Sequence, residues 1–406
     1  MKTILKNFGA ICILFFIVSA GQAQDWPEWR GSNRDGKVTD FNTPESWPGE
    51  LAKTWQVPVG LGDASVSMVD GKLYLMVKQE TDEAALCLSA ADGKQIWRTV
   101  LNPAPEVTGG AGSHPGPRST PTVANGKVYT IGAGGFLNCL DANSGKILWK
   151  NETFTEVPEF FAAMSPLVAD GMCIAHLNGH NNGVIVAFNA DNGKIIWQIE
   201  GEPSTYSSPV LMNIAGTEII VLQTETDLAG ISKDGKMLWK IPTPGERRFY
   251  NSTTPVIDGS NVIVCGQGIG SKSFKIAKTG NKYSISENWH NPDFGGSFNT
   301  PVLKDGFLYG NEARLGKLYC LNATTGETAW SDETTHNRFA SALDLGKALL
   351  SLPATGKILI YAPGSNSYQE IAAYTVSDTE VYAHPLVAGN KIFVKDKEML
   401  TCWEVK

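Results

Sequence analysis

Charge is scarce in this sequence. Asp, Glu, Lys and Arg make up 18% of its 406 residues, against about 25% in an ordinary globular chain. The little charge there is shows no basic excess, with 34 Lys and Arg set against 41 Asp and Glu. A net charge of −7 leaves no electrostatic footprint for a nucleic-acid partner. The richness in Ala, Glu, Lys and Leu that marks a helical bundle is missing too. Long apolar runs are absent beyond the first two dozen residues. The one such run, Phe8 to Ala20, is too short to span a bilayer. Lys2 and Lys6 precede it and Gly21-Gln22-Ala23-Gln24 follows. That pattern predicts a secretory signal peptide over residues 1–23, cleaved after Ala23. Cys12 lies inside the run behind Ile11, where lipidation needs a small residue. The mature chain is therefore expected to be soluble, without a transmembrane segment, and periplasmic or extracellular. Disorder is excluded, because 42% of the residues are apolar, enough for a core.

What the sequence does have is glycine, proline and tryptophan, at 42, 21 and 11 copies. They recur in order. Trp follows a Gly-Lys-type turn at Asp92-Gly93-Lys94…Trp97, Asp141…Gly145-Lys146…Trp149 and Asn189…Gly193-Lys194…Trp197. The same turn leads to Trp at Asp234-Gly235-Lys236…Trp239 and Asn322…Gly326-Glu327…Trp330. A less regular copy ends at Trp289. Ahead of each lies a Ser/Thr-Pro start, as at Thr120-Pro121, Ser165-Pro166, Ser208-Pro209, Thr254-Pro255 and Thr300-Pro301, with His384-Pro385 in the same set. Degenerate starts near Ser67 and Ser341 complete eight units.

Each unit reads as four strands. Asn125-Gly126 between two apolar runs is a two-residue hairpin signal. Proline is tolerated at the first residue of a strand, which need not donate to the ladder. Four antiparallel strands repeating about every 45 residues describe a propeller blade. The last unit stops after three strands. Lys53-Thr54-Trp55-Gln56-Val57 carries the repeat's Trp but has no blade of its own. It is expected to supply the fourth strand of blade eight and close the ring, removing an open sheet edge. The sequence thus predicts an all-β, eight-bladed propeller over residues 51–406, behind an N-terminal extension at 24–50.

The repeated Asp-Ala-x-x-Gly-Lys-x-x-Trp resembles the quinoprotein (PQQ-like) propeller repeat with its tryptophan-docking motif. The opening Asp25-Trp26-Pro27-Glu28-Trp29-Arg30-Gly31 and Gly116-Pro117-Arg118-Ser119-Thr120-Pro121 add to the likeness, which points to the exported BamB-like family. The resemblance implies that Trp55, Trp97, Trp149, Trp197, Trp239, Trp289 and Trp330 are structural docking residues between blades. Enzymes of the quinoprotein type carry adjacent cysteines over their cofactor, a calcium ligand set and a catalytic Asp. This sequence has no Cys-Cys pair and no matching segments. No cofactor and no metal are therefore expected, with PQQ and calcium kept for the oxidoreductase alternative.

Six cysteines follow the signal. Cys87, Cys139, Cys320 and Cys402 share one position of the third strand. Equivalent positions on neighbouring blades stand about 10 Å apart, beyond the reach of a disulfide. Cys173 and Cys265 fall on second strands among apolar residues. All six are expected to be free, buried thiols.

Long loops between blades and after second strands share one face, whereas the other face carries tight turns. Function is expected on the long-loop face. The residues just ahead of each first strand should ring the central opening: Asp63, Arg118, Met164, Tyr206, Asn251, Asn299, Arg338 and His384, with Tyr250 beside Asn251. Arg, aromatic and amide groups suit a polar or anionic ligand. His176, Asn178 and His180 lack the further ligands of a metal site by spacing. No nucleophile motif surrounds Ser119, Ser165 or Ser207. The sequence thus points to a non-catalytic binding or scaffold protein for a protein, peptide or polar ligand of the cell envelope. A carbohydrate-binding or carbohydrate-processing propeller and a PQQ-dependent oxidoreductase are the alternatives.

Overall fold

The computed structural model describes residues 24–106, 111–154, 156–158, 160–245 and 251–406. The predicted signal peptide and Tyr250 lie outside the described residues. The chain is an eight-bladed propeller of four-stranded antiparallel sheets. In five of the eight blades the first two strands meet at a hairpin in which both turn residues take positive φ. Asn125 and Gly126, at 51° and 73°, are an example, the I′ geometry that Asn-Gly favours. The ring closes as the sequence predicts. Strand Ala52–Pro58 pairs antiparallel with the last strand, Met399–Glu404.

Six of the eight seams between blades follow one design. In blade one the Trp strand is Gln95–Pro103, and Trp97 Nε1 donates to Ala142 O of blade two at 2.9 Å. The ring lies on Gly145, where an added Cβ would come within 2.6 Å of the indole. Trp55, Trp149, Trp197, Trp289 and Trp330 donate in the same way to Ala90, Ala190, Lys233, Ala323 and Gly364 carbonyls. Two further devices escape a reading of the Trp alone. Tyr74, Tyr129 and Tyr309 on second strands send their hydroxyls to the carbonyl that the Trp of their own blade uses. Behind each Trp the register slips by a β-bulge next to a small residue. Cys87, Cys139, Ala187, Gly230, Ser273, Cys320 and Cys402 stand opposite Trp97, Trp149, Trp197, Trp239, Trp289, Trp330 and Trp55. The small residue makes room for the indole. The bulge adds the local twist that aims it at the next blade. This register explains the repeated cysteine, and all six described cysteines are free and buried.

Two seams depart from the pattern. Trp239 is buried, but its indole N–H has no hydrogen-bond partner among the described residues. Blade five has ten-residue third and fourth strands, Gly270–Thr279 and Lys282–Asn291. Its turn at Gly280 has no atom within 4 Å of an added Cβ, so it stands clear of Trp239. Blade seven has no Trp on its fourth strand, Glu370–Thr375, and blade eight, split between the two chain ends, has no connecting turn to receive one. The N-terminal extension fills the gap. Tyr374 donates to Pro48 O at 2.7 Å, Trp47 packs on Tyr374, and Phe41 stacks on Trp47 at 5.8 Å.

The same extension fills the axis. Trp26 exchanges two 2.8 Å backbone hydrogen bonds with Met68 of blade one, and Pro27 O accepts from Val123 N of blade two. Arg34 donates to Ser165 and Pro166 carbonyls of blade three and to Pro209 O of blade four. Trp29 Nε1 reaches Thr254 Oγ1 of blade five. Arg30 donates to Thr300 and Pro301 carbonyls of blade six. Val38 N donates to Asp344 O of blade seven. Trp29 meets His384 of blade eight edge-on at 5.3 Å. One short loop thus ties all eight innermost strands together. Its chemistry follows from the axis, where strand starts converge and leave buried carbonyls without ladder partners. A guanidinium brings five donors to such a place. Arg34 also pairs with Glu28 at 2.5 Å, so one of the two charges taken into the axis has a counter-ion at its side.

Candidate binding site

On the long-loop face the axial loop stops at Trp29, and the blades widen above it into a chamber of about 450 Å³. Trp29 contributes to its lining at the depth where the plug ends. Asp63, Arg118, Tyr206 and Arg338 line it, each from just ahead of a first strand. At the other four blades the structure brings in a neighbouring residue instead: Ala163, Ser252, Phe298 and Tyr382.

The four expected ring residues that do not line the chamber are buried in the wall. Met164 is 1% exposed. The Asn251 amide donates to Thr224, Glu225 and Thr243 carbonyls at 3.2, 2.8 and 2.6 Å. The Asn299 amide donates to Arg338 O at 3.0 Å, which stitches blade six to blade seven. His384 lies against Pro385 O and Trp29. Burial, with the nearby Arg30 charge, pulls its imidazole down to about 3, so the ring is neutral. Phe298 explains one of these exchanges. Its φ of 59° turns its side chain, rather than that of Asn299, into the opening. Phe161, at φ 67°, lies under the Arg118 guanidinium, 4.8 Å from its ring centroid. Positive φ is costly for an aromatic residue and clusters where strain serves a site. No sequence pattern marks these two residues.

The lining forms a nearly continuous aromatic wall. His114 meets Tyr382 edge-on at 4.5 Å, and Tyr382 meets Phe339 at 5.6 Å. Phe339 meets Phe298 and Phe298 meets Tyr206, each pair at 5.6 Å. The Tyr206 hydroxyl donates to Phe160 O. Burial raises Tyr206 and Tyr382 to about 12, so both phenols keep their protons at neutral pH.

Two guanidiniums stand in this wall. Arg118 spends one nitrogen on His114 O at 3.0 Å, and its other terminal nitrogen is buried without a hydrogen-bond partner among the described residues. The Arg338 guanidinium lies over the Phe339 ring at 4.7 Å and makes no hydrogen bond or ion pair with a described residue. The one carboxylate among the described lining residues, Asp63, is held by His114 at 2.9 Å. The chamber is therefore a cationic, aromatic pocket in an acidic protein. Behind Arg118 lies Glu83, fully buried between blades one and two. Its carboxyl accepts from Ala133 N at 2.8 Å, and its second oxygen has no partner. Burial raises this carboxyl to about 7 against the pull of the Ala133 amide and Arg118.

The calcium-bearing quinone site implied by the repeat's resemblance does not fit these residues. Trp29 and two guanidiniums would suit a planar polyanion. A hard divalent cation, however, needs several oxygen ligands, and Asp63 is already committed. No group of three or more His, Cys, Asp or Glu is placed to hold a metal among the described residues. None of the six cysteines lines the chamber. His176 and His180 do not converge either. His176 is buried against Glu202 O at 2.8 Å, while His180 pairs with Glu225.

Comparison with known proteins agrees with this fold. The crystal structure of BamB from Moraxella catarrhalis superposes with a TM-score of 0.66 over 88% of this chain and 98% of that one, at 13% identity. The quinohemoprotein alcohol dehydrogenase of Comamonas testosteroni superposes with the same score over 94% of this chain and 80% of the enzyme, at 14% identity. In sequence, the outer membrane protein assembly factor BamB of Yersinia pestis is 24% identical over 69% of this chain and 65% of its own length. The dehydrogenase subunit of a quinone-type alcohol dehydrogenase from Gluconacetobacter polyoxogenes is 24% identical over 80% of this chain and 41% of its own length. The chain thus spans about two thirds or less of the length of these sequence relatives. The family model described as outer membrane protein assembly factor BamB matches residues 81–332, and the protein belongs to this family of PQQ-like repeat propellers.

Proposed function

We propose that the protein is an exported, non-catalytic envelope scaffold that holds a partner protein through an anionic segment seated in the axial chamber. One observation carries this reading: Arg118 and Arg338 have no carboxylate partner among the described residues, within an aromatic wall closed by Trp29. Guanidiniums that form no ion pair with an internal acid are poised for an external one. Tyr, Phe and Trp supply contact area at low entropic cost. The relatives named as outer membrane assembly factors support a role among envelope proteins. The chamber offers an aromatic and cationic binding surface.

The test is a photo-crosslinking residue at Phe339, on the chamber rim, in the exporting cell. A protein adduct is expected. It should fall about 10-fold or more in Arg118→Ala/Arg338→Ala, since a hydrogen bond to a charged group contributes about 1.5–3 kcal/mol. An adduct indifferent to both arginines, or none, overturns the reading.

A further inference from the structure

The two ends of the axial loop meet on the tight-turn face, opposite the chamber. The chain enters the axis beside Met68 and Asp70 of blade one and leaves it beside Asp344 of blade seven. At this neck Gln24 N lies 2.7 Å from Asp40 Oδ2, which also accepts from Gly389 N of blade eight at 2.7 Å. The other carboxylate oxygen, Oδ1, is buried without a hydrogen-bond partner. Asp40 forms no ion pair with a described residue. The Gln24 side-chain oxygen is held by the Thr39 backbone N–H and hydroxyl at 3.0 and 2.6 Å, which orients the residue. Both amides bond the same oxygen, so the carboxylate needs a further donor for the orphaned one, and a cation most of all.

We propose that cleavage between Ala23 and Gln24 turns the Gln24 nitrogen into the counter-ion of Asp40 and so locks the axial loop in place. The step is a hydrolysis by an export-coupled peptidase. Water adds across the Ala23–Gln24 amide, Ala23 leaves as a carboxylate, and the freed Gln24 amine takes up a proton. The single N–H becomes an ammonium with three, enough for both Asp40 oxygens. Processing then does more than release the chain. It ties together the neck of the loop that holds the eight innermost strands. The proposal rests on the signal peptide read from the sequence and is independent of the chamber's ligand.

The groups facing this nitrogen are few. Asp25, next in the chain, is engaged with Asp70 N at 3.0 Å. The Gly389 turn of blade eight presents a backbone N–H, and Thr39 is neutral. Asp40 is therefore the charge that governs it. An α-ammonium paired this way has a folded pKa above its unfolded value of about 8. Its stabilisation is full below about pH 8 and is lost as pH rises through the folded value.

The test uses protein exported and processed by its host. Intact mass should place the N-terminus at Gln24, uncyclised. The pH midpoint for acylation of the α-amine should lie above about 8 and return there in Asp40→Asn. A second variant leaves Asp40 in place and starts the chain at Ala23, which moves the ammonium out by one residue. Its Tm should be lower by about 2 °C near neutral pH, with the gap closing in alkali. A different N-terminus, a chain that has lost ammonia by cyclising, or an acylation midpoint unmoved by Asp40→Asn overturns the proposal.

Discussion

Replacing Arg34 by Met tests whether the axial loop is part of the fold or a passenger in it. Arg34 is 4% exposed. It donates to three carbonyls from two blades and pairs with Glu28 through Nε at 2.7 Å and Nη2 at 2.5 Å. Met keeps much of the volume and removes the charge. Three axial carbonyls then lose a donor, and the Glu28 carboxylate is left buried without its cation. Removing one partner of a buried pair costs about 3–5 kcal/mol, a large part of the ~5–15 kcal/mol that holds a typical protein folded. Urea denaturation at neutral pH should show this loss as a lower midpoint with an unchanged slope. Adding Glu28→Gln removes the stranded charge and should restore about 1–3 kcal/mol. A single variant within about 1 kcal/mol of wild type, or a double variant no better than the single one, would refute the role given to this pair.

Other expectations follow from the seams and the buried groups. Trp149→Phe removes a docking hydrogen bond at 3.1 Å, while Trp239→Phe removes an indole N–H that has no partner. The first should therefore cost about 1 kcal/mol more than the second in matched denaturation curves. Glu83, raised to about 7 by burial, is most stable protonated. Its contribution is present below its unfolded value of about 4.3 and is lost as pH rises through 7. Wild type should lose Tm relative to Glu83→Gln across that window, and parallel profiles would count against the assignment. The six thiols should resist an aromatic disulfide reagent in the native protein and react fully in denaturant. Burial raises Cys139 to about 12 and Cys265 to about 11, so thiolate is scarce; rapid native labelling would contradict the register opposite the docking Trp.

Much of the scaffold was legible because its signals are local and repeated. Asn125-Gly126 demands a tight hairpin wherever it occurs, and Trp97, Trp149 and Trp330 carry the same spacing from their turns. Trp55 without a blade implied closure by the N-terminal strand, and the structure shows that closure. The shared position of Cys87, Cys139, Cys320 and Cys402 implied free thiols by the same logic. The chamber was less legible. Position ahead of a first strand placed Asp63, Arg118, Tyr206 and Arg338 on the opening. Whether the residue or its neighbour faces inward depends on one backbone angle, as at Phe298, and on unpaired carbonyls nearby, as at Asn251.

The sequence by itself determined the number of blades, the strand order, the tight-turn face and the Trp repeat at the seams. Each of these depends on residues a few positions apart, and the repeat states it many times. The tertiary structure alone decided what fills the axis. Residues 24–38 occur once, have no periodicity, and find partners far along the chain, as Arg30 does 271 positions away at Pro301. Their acceptors are carbonyls, which every residue carries, so side-chain identity says nothing of which ones converge. Only the closed ring gathers those carbonyls into one buried place, where two guanidiniums can satisfy them.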